Sequence, residues 1–429
     1  KLRTCSAHNC YSLPTVELSK IKELEEVSFF NCCLETRNVV NLARLQRLRI
    51  LSICHEGMDD SALVSLGKCP FLEKLDLSST GSLTDVSPLA NVLTLEELDL
   101  SYCRKIEKGA GDLGRLPRLR VLNLKSTVVT DSCLVGLGTS RSLVRLDMSS
   151  CWNITDITPV LGIATLEELI VLYSGKKLSK RYNFSRLQNL RGLSLGRMGR
   201  LEHEEHFSAF PSGLTRLSLR CAGTLNITPS FIEKVQALVE LELNGDKICI
   251  NFDELSKLPH LRTLSLCSYK FPDDVKPLLK CTTLVKLSLL SCYYLTDLLP
   301  LEHMKSLEEL HISFFKLPPN GMIGIPPLLR HLKLSDCSVN FDPFKISESN
   351  ALECLNIWNC NYIDNLSFIR KMKRLEKLLL ASDQRIRCGF EYLDELPFLR
   401  HISTTRKVLP YCICSTLREK GVTLIENYR

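Results

Sequence analysis

Cys5, His8 and Cys10 put three soft metal ligands into six residues near the start of the chain. A structural zinc ion takes four such ligands, and no second pair of suitable spacing follows nearby. The spacing therefore predicts no metal here. His203 and His206 flank Glu204 and Glu205, but zinc-binding helices set their two histidines four residues apart so that both imidazoles share a face. A solvated, charged stretch explains that quartet better. Cys412 and Cys414 fall in an apolar terminal segment, where packing is the simpler use of a thiol. Asn153, Asn183, Asn226 and Asn365 each open an N-x-S/T sequon. A chain of this size holds roughly two to three by chance, so they argue only weakly for secretion. No Ser/His/Asp or Cys/His set falls in a register that would join its members, and no glycine-rich phosphate cradle is present. The expectation is a protein with no catalytic residue, no metal and no cofactor: not an enzyme.

Of the 429 residues, 45% are hydrophobic and 24% charged, enough to bury a large core. The 55 basic and 48 acidic residues leave a net charge of +7, a slight excess that gives little support to general nucleic-acid binding. No apolar run approaches the roughly 18 residues that suggest a membrane span, so no membrane segment is expected in this chain. Lys1 rather than Met opens the sequence, and a truncated N-terminus is expected. Twenty cysteines would suggest disulfides in a short secreted protein, but here they are scattered over a long chain.

One recurring phrase accounts for many of them. It reads LEKLDLSST from Leu72, LEELDLSYC from Leu95, LVRLDMSSC from Leu143, LVKLSLLSC from Leu284, LRHLKLSDC from Leu329 and LECLNIWNC from Leu352. The form is L-x-x-L-x-L-x-x-C, with Thr at times in the ninth place; weaker copies recur about every 23 residues from Leu2 to Leu399. Apolar residues at positions four and six, with one more at position one, describe a short strand with one buried face. The ninth residue follows the strand and should turn inward to satisfy backbone groups at the bend. Cys10, Cys32, Cys103, Cys151, Cys292, Cys337 and Cys360 fill that place, with Thr80 and Thr127. A ladder of reduced thiols favours an intracellular protein, cytoplasmic or nuclear. The opening Cys-His-Cys stretch is then the worn first repeat, with Cys5 in position four and Cys10 in position nine.

After the bend comes a second phrase, LTDVSPL at 83–89, ITDITPVL at 154–161 and LTDLLPL at 295–301. Thr or Asp would cap a short helical turn there, and Pro88, Pro159 and Pro300 would occupy its first residue. The spacing predicts one α/β solenoid over 1–429 with about 18 repeats, clear over 2–406 and ending in a cap at 407–429. A parallel sheet should line its concave side and short helical or 3-10 segments its convex side.

The phrase shape is identified as that of leucine-rich repeat proteins. The stretch LEKLDLSSTGSLTDVSPLANVLTLEELDLSYC, residues 72–103, resembles the trypanosome leucine-rich repeat proteins, including an expression-site-associated member with a RING finger. More distantly it is similar to the cysteine-containing repeats of F-box ubiquitin-ligase receptors. The resemblance implies a horseshoe-shaped binding protein, some relatives being regulatory or ligase components. Neither RING-like Cys/His pairs nor an F-box-like helical segment precedes Leu2, so no ligase residue carries over.

Positions two, three, five, seven and eight point away from the core and tile the concave face. The copies from Leu72 and Leu95 present Glu73, Asp76, Glu96, Glu97 and Asp99 against Lys74 alone; those from Leu190 and Leu214 present Arg191, Arg197, Arg216 and Arg220 with no acid. Tyr173, His311, Phe314, Lys333 and Trp358 add large side chains on either side of the arginines, and aromatic and arginine residues dominate interface hot spots. The sequence points to a non-enzymatic protein–protein interaction scaffold holding an acidic or mixed protein partner along the arc from Tyr173 to Trp358, with the acidic patch as a secondary site. One alternative is a substrate-recognition subunit of a ubiquitin ligase. Another is an RNA-associated regulatory protein using the basic segment 174–186.

Overall fold

The computed structural model describes residues 2–10, 15–32, 36–54, 57–172, 182–198, 207–221, 223–268, 275–293, 295, 297–315, 323–336, 346, 349–360, 365–381, 386–405 and 409–427. By compactness the chain divides into two units, 1–222 and 223–429. In the first, strands at Thr4–His8, Glu26–Phe30, Ile50–Cys54, Lys74–Asp76, Glu97–Asp99, Val121–Asn123, Arg145–Asp147, Glu168–Val171, Gly192–Met198 and Arg216–Cys221 pair in sequence order, all parallel. In the second, Glu240–Asn244, Thr263–Cys267, Lys286–Leu290, Glu309–Ser313, His331–Ser335, Cys354–Trp358, Lys377–Ala381, His401–Thr405 and Thr423–Asn427 do the same. The terminal cap thus adds a strand of its own, after the helix Tyr411–Glu419.

Register explains why the sheets hold. Position four always faces position four and position six faces position six, as in Leu264↔Leu287↔Leu310↔Leu332, so the leucines form continuous buried rows. Leu72, Leu75 and Leu77 are at most 2% exposed. Full burial of one such side chain contributes about 1.5–3 kcal/mol. The worn first repeat obeys the rule, with Cys5 opposite Val27 and Ala7 opposite Phe29. Strand alternation sends Cys5 and His8 to opposite faces, so they cannot share a metal ion.

At position eight the chain bends. Among the described residues ten non-glycine residues have positive φ, between 47° and 62°, and every one occupies this position: Asn9, Asn31, Ser79, Tyr102, Ser126, Ser150, Ser291, Phe314, Asp336 and Asn359. The left-handed turn swings position nine inward while the position-eight N–H still reaches the next strand, as from Ser79 to the Ser101 carbonyl at 2.7 Å. Cys32, Cys103, Cys151, Cys292, Cys360, Thr80 and Thr127 are accordingly buried. The Cys103 thiol donates to the Leu77 carbonyl at 3.1 Å and Cys151 to the Leu124 carbonyl at 3.0 Å, each bond tying one repeat to the one before. Cys337 lies outside the described residues. All described cysteines are free thiols.

The opposite layer of the first unit is built from helices at Thr36–Leu42, Asp60–Leu66 and Asp131–Leu137 and 3-10 segments at Ser87–Asn91, Asp112–Arg115 and Thr158–Gly162, each packed on the next. Contact is close enough to require glycine: a Cβ on Gly114 would lie 2.3 Å from the Gly136 carbonyl oxygen. The expected capping needs correction by one residue. The 3-10 segments begin at Ser87, Thr158 and Leu299, so Pro88, Pro159 and Pro300 are second, not first. Asp85 and Asp156 sit one place before the cap and accept from the N–H two residues on, at 2.8 and 2.9 Å, because a short carboxylate closes that turn more readily than it reaches further. Among the described residues no helix is long and apolar enough to cross a membrane.

Candidate functional site

With leucines filling positions four and six, position five is the centre of each strand's open side. In the first unit register lines up Ser52, Asp76, Asp99, Asn123 and Asp147 on five successive strands. Asp76 accepts from the Ser78 N–H at 2.9 Å, Asp99 from Ser101 at 2.7 Å, Asn123 from Lys125 at 3.1 Å and Asp147 from Ser149 at 2.8 Å. Each side chain thereby takes a backbone donor at the strand's end. The four strands that carry them are three residues long. Asn123 also donates to Asp99 at 2.9 Å, and Ser52 to Asp76 at 3.0 Å. Above this row opens a cleft of about 590 Å³, walled by Lys74, Glu97 and Arg145 as well.

In the second unit the same row begins with Glu242 and Ser265 and continues through Ser288, His311, Lys333 and Asn356. None of these last four is a carboxylate, and their strands run five residues. Lys333 is exposed, whereas His311 and Asn356 are half-buried. The Nε2 of His311 and the Oδ1 of Asn356 are buried with no hydrogen-bond partner among the described residues. Burial, then the charge of Lys333, pushes the His311 pKa down to about 4, so its imidazole is neutral at pH 7. The neighbouring carboxylates are committed elsewhere. Glu309 meets Lys286 at 2.8 Å and His331 at 3.6 Å, and Glu353 meets Arg330 at 2.7 Å.

The residues singled out from sequence divide accordingly. His311, Phe314, Lys333 and Trp358 come together on three adjacent strands and the bend after one of them, with Phe314 40% and Trp358 38% exposed. The Phe314 ring stands 5.8 Å from that of Tyr293. Arg216 and Arg220 belong to the first unit. The arginine stretch has an acid after all: Glu168, two strands back, lies 3.5 Å from Arg216 and 3.2 Å from Arg145. Gly192 stands between them in register and leaves the gap that Arg216 crosses. Arg220 is half-buried. Arg197 lies in the strand Gly192–Met198, with its side chain outside the described set; Tyr173, His203, Glu204, Glu205, His206 and residues 174–181 are also outside it.

The acidic patch is less bare than its sequence. Glu73 makes two hydrogen bonds with Arg49 of the preceding strand, at 3.0 and 2.8 Å, and Glu97 pairs with Lys74 at 2.6 Å. Asp76, Glu96 and Asp99 are half-buried. Asn123, Asp147 and Asn356 were missed, although reading position five alone through all copies would have found them. Glu168 needed the register across a glycine. Three sequon asparagines make hydrogen bonds of their own: Asn183 and Asn365 accept from the N–H of Ser185 and Ser367 at 3.0 and 2.8 Å, and Asn153 donates to the Val128 carbonyl at 3.0 Å.

Thiol chemistry is disfavoured where the thiols are buried. Burial pushes Cys103, Cys133 and Cys292 up to about 12 and Cys69 and Cys281 to about 11. The thiolate is the nucleophile, so these groups are inert packing and hydrogen-bonding groups at neutral pH.

No family model matches the chain. Over 162 residues it is 35% identical to a putative adenylate cyclase regulatory protein of Trypanosoma equiperdum. That stretch is 37% of this chain and 25% of the other, so the chain spans about a quarter of the length of the curated relative it matches. Among solved structures, the internalin InlF of Listeria monocytogenes aligns with a TM-score of 0.57 at 19% identity, over 72% of this chain and 86% of that one. TLR13 in its complex with ssRNA13 aligns at 0.54 and 17% identity, over 93% of this chain and 60% of that one. In repeat, register and structural likeness alike, this is the leucine-rich repeat fold.

Proposed function

We propose that the chain is a non-enzymatic binding protein that holds a protein partner on the strand side of its second unit, around His311, Phe314, Lys333 and Trp358. The observation that carries this is the exposure of two large aromatic side chains beside a lysine that has no carboxylate within ion-pair distance among the described residues. Aromatic anchors next to a cation are the residue types that dominate protein interfaces. Parallel strands repeat such side chains about every 4.8 Å, which suits an extended partner better than a small molecule. Similarity to a trypanosome regulatory protein supports a regulatory setting for that binding.

The test is affinity capture from the source cell under reducing conditions with the full chain, the Phe314→Ala/Trp358→Ala double variant and a helix-side control, Lys371→Glu. A partner held by wild type and control but lost from the double variant supports the proposal. Retention by all three places binding elsewhere. The RNA reading has its own readout, because counterion release makes such binding fall steeply with salt.

A further inference from the structure

We infer that the row His311–Lys333–Asn356 is a recognition site for one acidic residue, aspartate or glutamate, in an extended segment of a partner protein. This rests on the proposed strand-side binding and names its chemistry. Three observations converge. Lys333 is an exposed ammonium on the open side of the sheet, while the neighbouring Lys286 and Arg330 each already meet a carboxylate, and Glu309, the partner of Lys286, also lies 3.6 Å from His331. On the strands either side of Lys333, His311 and Asn356 each bury a polar atom that has no partner among the described residues. A buried donor or acceptor left unpaired is costly, so a ligand that parts the groups covering these two atoms and pairs both recovers that cost on binding.

The required ligand follows from the atoms. A carboxylate accepts from the Lys333 ammonium and, with the imidazole in its Nε2–H tautomer, from His311. The Asn356 Oδ1 is an acceptor and calls for a donor, which the backbone N–H of the same acidic residue supplies. A free anion offers the first half of this set and lacks the second. Ser313 and Ser335, at position seven of the first two strands, are buried, while Trp358 at position seven of the third is exposed, as are Phe314 and its neighbour Tyr293. Burial first and the Lys333 charge second hold His311 neutral; a carboxylate would offset that charge, so binding should draw the imidazole pKa upward.

The experiment follows the His311 ring nitrogens by NMR in the full chain at pH 7, the signal being identified by its loss in His311→Gln. The probes are N-acetyl-aspartate N-methylamide, its asparagine counterpart, and acetate. The aspartate compound should give a saturable shift at millimolar concentration, the asparagine compound should bind roughly tenfold or more weakly for want of charge, and Lys333→Met should abolish the response. Acetate should bind several-fold more weakly than the aspartate compound. No shift, equal shifts from the aspartate and asparagine compounds, or survival of the response in Lys333→Met overturns the site. Equal binding of acetate reduces it to a bare anion site and overturns the peptide assignment. If the site fails while capture still depends on Phe314 and Trp358, the binding face stands without this chemistry; if both fail, the face falls too.

Discussion

Asp99 and His311 hold the same place in their repeats, the fifth position of a strand, and do opposite things. Asp99 is bound on both sides, by the Ser101 N–H and by Asn123. Its row spends its polar atoms on the protein's own backbone and ends its strands early. The buried Nε2 of His311 has no partner among the described residues, and its stretch of the row runs longer strands with polar atoms left over. Polar groups satisfied internally stabilise a fold, whereas each buried group left unsatisfied calls for an explanation.

The largest test of that contrast is to remove each side chain. Asp99→Leu should destabilise the first unit by about 1–3 kcal/mol in urea unfolding, because it orphans a backbone N–H and an amide. His311→Leu should cost less than about 0.5 kcal/mol or stabilise the second unit, since it removes a buried nitrogen that bonds to nothing. Equal costs would dissolve the comparison.

Acid should separate the units next. His311 titrates near 4 when folded against 6.5 ordinarily. Its contribution is therefore complete above pH 6.5 and is lost as pH falls toward 4, by about 1–2 kcal/mol after discounting for a half-exposed ring. Lys333 faces it from the next strand, Ser288 from the preceding one, and Glu309 shares its own strand. In the first unit, hydrogen bonds from Ser61 and Ser87 hold Asp59 and Asp85 below 3.8, so their contribution persists above 3.8 and fades only as pH falls through their lowered pKa values. Hydrogen exchange at pH 5 should show loosening in the second unit first, and His311→Gln should remove it.

Backbone strain gives a smaller effect. Phe314 holds φ at 51°, where eight of the ten equivalent residues are Asn, Ser or Asp. Phe314→Asn should raise the second unit's stability by about 1 kcal/mol, the cost of a bulky residue in the left-handed region, while weakening partner capture. A loss of stability would show that the ring packs rather than binds. Smallest of all, Gly192→Ala should shift the first unit's stability by under about 0.5 kcal/mol, since an exposed ion pair contributes little and both side chains around the gap are flexible.

The fold was legible because its period was written in leucine. Leu72, Leu75 and Leu77 are the phrase itself, and their burial follows from strand alternation. The inward turn of Cys103 and Cys151 was legible too, since position nine recurs with one chemistry. Charge was harder to read. Glu73 looked bare because its partner Arg49 lies one repeat back, and Arg216 looked unopposed because Glu168 lies two strands away across a glycine. Such pairs depend on register between repeats, which a phrase read singly does not contain. The half-burial of His311 depends on both flanking strands in the same way.

The most direct measurement is a three-way capture comparison under reducing conditions: Lys333→Glu in the open row, Asp99→Asn in the satisfied row, and Lys371→Glu on the helical side. Loss of a partner from Lys333→Glu alone, with the other two matching wild type, is the expected result. Equal retention by all three, or loss confined to Asp99→Asn, would contradict the account.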